Sequence, residues 1–255
     1  MNKFLIISVV AIFAFSCNNQ TTTNTDTREM VKFEPEDGKC IVFIGQDMGA
    51  IGGVDGYNDG NANHFETPAG ITIDTNFGTA DESIGHSYRG NDGVFQVDKW
   101  GSGDCYADKQ ITSPKFQYCA LAIGLEIVNA EKKIISGEVD HLIEELGTWI
   151  KSLAPRPVFL RIGYEFDGHG WNHYSSDYYP KAWRHIVDYF DNMGVEITAY
   201  VWQSKGNGST AEEMEFWYPG DKYVDWCGYS YFSNADQEMI KFARKHNKPV
   251  FIAEA

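Results

Sequence analysis

The stretch PVFLRIGYE, residues 157–165, decides the fold that we expect. It is an apolar run of strand length that starts at a proline and leads directly to Glu165. A strand tolerates proline at its first residue, because no ladder donor is needed there. The stretch PVFIAE, residues 249–254, repeats this arrangement and ends in Glu254. Runs that are apolar almost throughout are typical of a parallel sheet with both faces covered.

Five further runs of this kind lie elsewhere in the chain. They cover residues 41–45, 70–74, 120–127, 195–202 and 224–231. Apolar residues at steps of three and four predict amphipathic helices over 137–153, 177–193 and 236–246. Strands that alternate with helices indicate an α/β fold with a parallel sheet.

A (β/α)8 TIM barrel has eight strands in typically ~250 residues, whereas this sequence offers seven. We therefore predict a barrel with strands one to seven present and the eighth βα unit missing. A doubly wound open sheet is the alternative, but no helix pattern follows its weakly matched glycine-rich turn at residues 49–53. Unpaired edge strands invite aggregation. We therefore expect a fragment of a longer chain, poorly soluble or inactive by itself.

The first residues predict export. A positively charged start and an apolar run over residues 4–15, too short to span a bilayer, form a secretory signal over residues 1–16. The segment resembles a bacterial lipoprotein signal, which would anchor the chain in the cell envelope through a lipid on Cys17. Ordinary cleavage and secretion is the alternative. Residues 17–36 start polar and threonine-rich, which predicts a flexible linker to a catalytic domain over 37–255.

The charge of the chain limits its partners. It has 21 Lys and Arg against 36 Asp and Glu, a formal net charge of −15. Without a basic cluster, such a chain is not expected to bind nucleic acid. We expect a monomer that touches a membrane only through the lipid at Cys17. No metal or cofactor motif stands out, and we expect neither.

Export permits disulfides. Four cysteines follow the signal: Cys40, Cys105, Cys119 and Cys227. Cys105 and Cys119 flank one loop and are our first candidate pair. Buried free thiols are the alternative for the other two.

Glu165 and Glu254 directly follow predicted strands. In a barrel, residues at the carboxyl ends of strands face the active site. Their spacing corresponds to about three βα units, which places them on strands four and seven, on opposite sides of the mouth. One protonated and one ionised carboxyl group, ~5–5.5 Å apart, are what a retaining glycosidase needs. On spacing alone, ordinary surface carboxylates remain the alternative. For the acid role, the pKa of Glu165 should lie above ~4.3.

Other side chains near the predicted strand ends suit a sugar-binding cleft. Arg161 lies four residues before Glu165, where it can orient a carboxylate or bind a hydroxyl group. Asp47 follows the first strand and can face the cleft. Aromatic residues, whose faces stack on sugar rings, follow three successive strands: Trp171, Tyr174, Trp202, Tyr229 and Tyr231. Each of these alone is more typical of the core or the rim.

These segments resemble glycoside hydrolase family 26. RIGYEFDGHGWNHY (161–174), a helix with AWR, and YVWQS (200–204) are similar to the family's acid/base region. YPGDKYVDWCGYSY (218–231) and KPVFIAEA (248–255) are similar to its sixth and seventh strands. The resemblance covers roughly residues 156–255 and, loosely, 41–49. It implies a retaining (β/α)8 glycosidase acting on β-mannans, with some β-1,3-xylanases and mixed-linkage glucanases in the family.

By the same resemblance, Glu165 would be the acid/base and Glu254 the nucleophile. Arg161 and Trp171 would hold the sugar at the cleavage point, and the Tyr231 hydroxyl would hydrogen-bond the nucleophile.

The sequence departs from the family pattern around the acid/base. Tyr164, a further candidate for sugar contact, stands where the family has His, and Asp167 stands where it has Asn. Trp171 comes one residue late. We therefore expect the chain to be a divergent relative of this family.

The predicted function is that of a retaining, endo-acting glycoside hydrolase on a β-linked polysaccharide. The resemblance favours β-mannan, then β-1,3-xylan or mixed-linkage β-glucan. The alternative is a non-catalytic surface lipoprotein that binds glycans on a degenerate barrel.

Overall fold

The computed structural model describes residues 29–78, 89–100, 103–232 and 236–255. Seven parallel strands form one sheet in the order β1-β2-β5-β6-β7-β8-β9. They are β1 (Phe43–Ile44), β2 (Gly70–Asn76), β5 (Ala120–Glu126), β6 (Val158–Ile162), β7 (Thr198–Ser204), β8 (Trp226–Ser230) and β9 (Val250–Glu254). Each predicted strand is confirmed. In the described ranges no strand lies between β9 and β1, so the sheet is that of a (β/α)8 barrel with strands one to seven present.

A second, antiparallel pair was not predicted. It consists of β3 (Asp98–Trp100) and β4 (Gly103–Cys105). These six residues carry charges and glycine but no period-two apolar pattern, so nothing in the local sequence marked them as strands.

The predicted amphipathic helices are confirmed as α5 (Asp140–Ser152), α6 (Tyr179–Met193) and α8 (Gln237–Lys245). Gly194 ends α6 in a left-handed conformation, with φ of 69°. Shorter helices complete the connections: α1 (Met48–Ile51), α2 (Asn61–His64), α3 (Ala107–Ile111), α4 (Glu131–Ser136) and α7 (Ala211–Met214), with a 3₁₀ turn at Pro114–Phe116. No helix in the described part of the chain is both long enough and apolar enough to cross a bilayer.

Strand alternation divides the sheet into two faces. The outer face packs against the helices. The inner face starts with an apolar group that we call the inner cluster: Ala120, Ala122, Phe159, Ala199, Val201, Trp226 and Phe251. Phe159 lies at its centre, with ring centroids of Phe43, Trp226 and Phe251 between 5.4 and 5.8 Å away. Towards the carboxyl ends of the strands the inner face becomes polar, because Asp74, Arg161 and Gln203 continue the same alternation.

Part of the segment assigned to the linker packs against the inner cluster. Val31 and Phe33 are partly buried there, and Trp226 Nε1 donates a hydrogen bond of 3.0 Å to the carbonyl oxygen of Lys32. Residues 31–33 thus contact the inner cluster from within the segment that the sequence assigned to the linker. Cys17 and the predicted signal over 1–16 lie outside the described residues.

The predicted Cys105–Cys119 disulfide is wrong, since all four described cysteines are free. The thiol of Cys105 donates to the carbonyl oxygen of Gln46 at 3.4 Å, and that of Cys119 to the carbonyl oxygen of Pro68 at 3.0 Å. Each thiol thus has a separate backbone partner. Burial raises the pKa of Cys105 to about 12, which leaves it an unreactive thiol.

Candidate active site

Glu165 is carried into the mouth of the barrel by a tight turn after β6. Gly163 and Glu165 both have left-handed backbones, with φ of 52° and 53°. A Cβ on Gly163 would lie 2.5 Å from the ring of Tyr179, so glycine is needed there. A non-glycine residue in this conformation costs on the order of 1–3 kcal/mol. Asn172 holds the turn by donating to the carbonyl oxygens of Tyr164 and Glu165, at 2.9 and 3.2 Å.

The carboxyl group of Glu165 is buried among neutral donors. The residue is 9% exposed. Trp171 Nε1 donates to its Oε2 at 2.7 Å, and Ser230 Oγ donates to its Oε1 at 2.7 Å. Burial raises the pKa of Glu165, and the nearby charge of Glu254 adds to that effect, whereas the two hydrogen bonds oppose it. The net shift is upward, as the sequence led us to expect, and favours the protonated form that a general acid needs.

Glu254 reaches the barrel interior through a register shift in β9. Phe251 pairs with Gly228 and Ile252 with Tyr229, but Ser230 pairs with Glu254. Strict alternation would place Glu254 on the same outer face as Ile252. The extra residue, Ala253, instead aligns Glu254 with the inward-facing Ser230. Re-aiming a side chain beside an active site is a known use of such bulges.

The carboxylate of Glu254 binds a buried cation. Arg161, which is 1% exposed, donates from Nη1 to Glu254 Oε1 at 2.9 Å and from Nη2 to Asp74 Oδ1 at 3.3 Å. Arg161 therefore orients a carboxylate, one of the two roles expected for it. Charge-assisted hydrogen bonds are about twice as strong as neutral ones, so Glu254 is held more firmly than a surface carboxylate.

Gln203 and Ser230 connect the two glutamates, and the sequence did not single out either residue. Gln203 Nε2 donates to Ser230 Oγ at 3.0 Å and to Glu254 Oε1 at 3.4 Å, while Ser230 Oγ donates to Glu165. Gln203 Oε1 accepts from Arg161 Nη1 at 3.1 Å. β7 runs to Ser204, two residues beyond the predicted strand. If the predicted strand had extended to Ser204, strand alternation would have placed Gln203 on the inner face.

The prediction that Trp202 binds substrate is wrong. Trp202 is wholly buried. Its ring stacks on Phe166 with centroids 4.2 Å apart and packs against Phe242 at 4.9 Å. It therefore belongs to the outer, helix-covered face of β7, and Gln203 beside it is the residue that faces the site.

Tyr231 contacts Glu254 through its backbone only. Its N–H donates to the carbonyl oxygen of Glu254 at 2.7 Å. Its ring is 37% exposed, with the centroid 6.0 Å from that of Tyr229. Within the described ranges the Tyr231 hydroxyl makes no hydrogen bond to the Glu254 carboxylate, contrary to the expectation from the resemblance.

Asp47 and Tyr164, two further candidates for sugar contact, each contact other residues of the protein. Asp47 caps α1 by accepting from the N–H of Ala50 at 3.0 Å, and it does not line the cavity with the two glutamates. Its side chain thus has a structural partner, and a contact between Asp47 and a sugar stays a prediction. The Tyr164 ring lies 5.4 Å from the guanidinium carbon of Arg161. The sugar contact of Tyr164 stays a prediction.

A cavity of about 420 Å³ opens above the two glutamates. It is lined by Glu165, Trp171, Lys205, Asn207, Phe232 and Glu254. The aromatic rings of Trp171 and Phe232 are 55% and 70% exposed. A larger cavity of about 740 Å³ lies between β1 and β9 and reaches Glu254 at one end.

Comparison with known proteins identifies the family. The family model of Glycosyl hydrolase family 26 matches residues 15–253. The chain belongs to this family. The resemblance of the segments around Glu165 and Glu254 therefore reflects membership over nearly the whole sequence.

Two relatives of this chain are β-1,3-xylanases. "Beta-1,3-xylanase TXYA" of Vibrio sp. is 30% identical over 241 residues, covering 88% of this chain and 46% of that protein. A β-1,3-xylanase of Alcaligenes sp. is 30% identical over 238 residues, covering 88% and 45%. The chain thus spans about half the length of these relatives.

Solved structures share the fold. A GH26 β-mannanase of Bacteroides ovatus aligns with a TM-score of 0.54 and 17% identity, over 84% of this chain and 71% of that one. GH26C of Muricauda sp. aligns with a TM-score of 0.57 and 19% identity, over 82% and 67%. At these identities the likeness concerns the (β/α)8 fold alone.

Proposed function

We propose that this protein is a retaining, endo-acting glycoside hydrolase that cleaves a β-linked polysaccharide. One observation carries the proposal: two glutamates in unlike surroundings line one cavity and are joined through Gln203 and Ser230. Two carboxyl groups with different protonation preferences are what acid catalysis and nucleophilic attack require together.

In the proposed reaction, Glu254 attacks the anomeric carbon and forms a glycosyl ester. The glycosidic C–O bond breaks as Glu165 gives its proton to the leaving oxygen. Glu165, now ionised, then takes a proton from water, which attacks the anomeric carbon and releases Glu254. Arg161 orients the attacking carboxylate through its hydrogen bond to Glu254 Oε1. The exposed face of Trp171 offers a stacking surface for a sugar ring.

For the substrate we favour β-1,3-xylan over β-mannan, which the sequence placed first. The relatives at 30% identity are β-1,3-xylanases, whereas the β-mannanase neighbour at 17% identity supports the fold only. Mixed-linkage β-glucan is third. We also propose that residues 37–255 hold the catalytic domain and that the chain is exported and anchored at Cys17.

The test is digestion of β-1,3-xylan, β-mannan, mixed-linkage β-glucan and β-1,4-xylan by the purified protein at its full natural length. We expect oligosaccharides from β-1,3-xylan, released initially as the β-anomer in proton NMR spectra. Release of the α-anomer would contradict the double displacement. If affinity electrophoresis shows binding to a polysaccharide that is never cleaved, the non-catalytic glycan-binding alternative is correct.

A further inference from the structure

Asp74 lies on the inner face near the end of β2, and neither the motifs nor the resemblance singled it out. Its side chain is 13% exposed. Its Oδ1 accepts from Arg161 Nη2 at 3.3 Å. Burial raises the pKa of Asp74 to about 6, although Arg161 acts in the opposite direction and Glu254 raises it further. The fold thus buries an acidic group beside the guanidinium, although burial disfavours its charged form.

Asp74 reaches Arg161 across an intervening strand. In the sheet register Asp74 pairs with Gly124 of β5, and Gly124 pairs with Arg161 of β6. A Cβ on Gly124 would lie 2.0 Å from Asp74 Oδ1 and 2.9 Å from Arg161 Nη2. Only the missing side chain of Gly124 therefore lets the two groups meet.

The contact with Asp74 fixes the orientation of the Arg161 guanidinium group. Arg161 Nη1 is shared between Gln203 Oε1 and Glu254 Oε1. Its Nε has no hydrogen-bond partner among the described residues. Nη2 and Asp74 therefore form the second anchor, and without it the guanidinium can rotate about its contacts at Nη1.

We propose that Asp74 is a positioning residue that acts through Arg161 to hold the Glu254 carboxylate in line for attack, with Gly124 as the opening that makes this possible. The inference rests on the proposed function, because it assigns Glu254 the role of nucleophile. Asp74 does not line the cavity that contains the two glutamates, so it should affect the attack and not the binding of sugar.

The experiment compares wild type with Asp74→Asn, which keeps the shape but not the charge, and with Gly124→Ala, which keeps every charge but blocks the contact. The probes are two aryl β-glycosides of β-1,3-xylobiose, with 2,4-dinitrophenol and phenol as leaving groups. We expect kcat/KM to fall about 10²-fold for both variants, the cost of a small misplacement, and equally for both leaving groups. The Kd of unmodified xylobiose should not change.

Asp225→Asn is the matched control. Asp225 is also a largely buried carboxyl group whose pKa is raised by burial, but it accepts from the N–H of Tyr200, which lies three residues before Gln203 on β7. This variant should keep wild-type kcat/KM. An equal loss in the control, unchanged rates in both test variants, or full recovery with dinitrophenol would each overturn the proposal.

Side-chain ¹⁵N NMR of Arg161 provides a readout that does not need activity. Two anchored Nη groups should give separate, slowly exchanging signals in the wild type, and these should merge in Asp74→Asn and Gly124→Ala. Separate signals in both variants would overturn the proposal whatever the kinetics. If the wild type cleaves neither glycoside nor any glycan, the proposed function fails, and the NMR result alone then decides whether Asp74 anchors Arg161.

Discussion

The ends of β6 and β9 present the same side chain in opposite surroundings. At β6, Glu165 is buried and accepts hydrogen bonds from the indole of Trp171 and the hydroxyl of Ser230. At β9, Glu254 pairs with the guanidinium of Arg161. Burial favours a protonated carboxyl group and at Glu165 outweighs the two hydrogen bonds, which act in the opposite direction, whereas an adjacent cation favours a charged carboxyl group. The surroundings, and not the residue type, thus distinguish the proposed acid from the proposed nucleophile.

Removing the proposed nucleophile should have the largest effect. If Glu254 forms the covalent intermediate as proposed, Glu254→Gln should lower the rate of hydrolysis by on the order of 10⁴-fold or more, for every leaving group. The measurement is initial rates on phenyl and dinitrophenyl glycosides of the substrate that the wild type cleaves. Glu36→Gln, at an exposed surface ion pair, is the control and should keep full activity.

Removing the proposed acid should have a smaller effect that depends on the leaving group. Glu165→Gln should lower kcat/KM on the polysaccharide by about 10²–10⁴-fold, the usual worth of general acid catalysis. Dinitrophenol needs no proton to leave, so the loss of kcat/KM should largely vanish with that glycoside. A loss of the same size for both leaving groups would mean that the two roles are assigned to the wrong glutamates.

The dependence of the hydrolysis rate on pH should also distinguish Glu165 from Glu254. Because the folded-state pKa of Glu165 is raised, the wild-type rate should be bell-shaped, with an alkaline limb that marks loss of its proton. Ser230→Ala removes a hydrogen bond that lowers this pKa. We expect its alkaline limb to move to higher pH with only a modest change in maximal rate. A limb that stays in place, or that persists in Glu165→Gln, would contradict the assignment.

The smallest expected effect concerns stability. A carboxyl group whose pKa is raised in the folded state contributes stability below its unfolded pKa and loses it as pH rises through the folded value. Glu165→Gln should therefore be more stable than the wild type at pH 7, by about 2–4 °C in Tm if the gain is ~1 kcal/mol. The two should converge near pH 4. Thermal unfolding followed by circular dichroism at both pH values tests this, and a less stable variant at pH 7 would contradict it.

The strands and both glutamates could be predicted from the sequence. Buried parallel strands are apolar runs, and each glutamate follows such a run. The inward orientation of the Glu254 side chain could not be predicted, because it depends on the bulge at Ala253, and no local sequence pattern indicates that bulge. Trp202 was misassigned because its position at the end of an apolar run favoured the mouth of the barrel, whereas strand alternation places it on the outer face of β7.

The polar partners were harder to predict. Asp74, Gln203 and Ser230 gain their roles from strands that neighbour each other only in the folded sheet. Gly124 shows this most clearly, since its role is the space that it leaves between Asp74 and Arg161. A glycine in a strand signals close approach of another group, but not which group approaches.

Covalent trapping tests the comparison between the two glutamates most directly. A 2-deoxy-2-fluoro glycoside of the cleaved sugar, with dinitrophenol as leaving group, should form a glycosyl ester that turns over slowly. Peptide mass spectrometry should then find the added sugar on the peptide that contains Glu254, and Glu254→Gln should remain unlabelled. An adduct on Glu165, or none on an enzyme that the reagent inactivates, would contradict the assignment of acid and nucleophile.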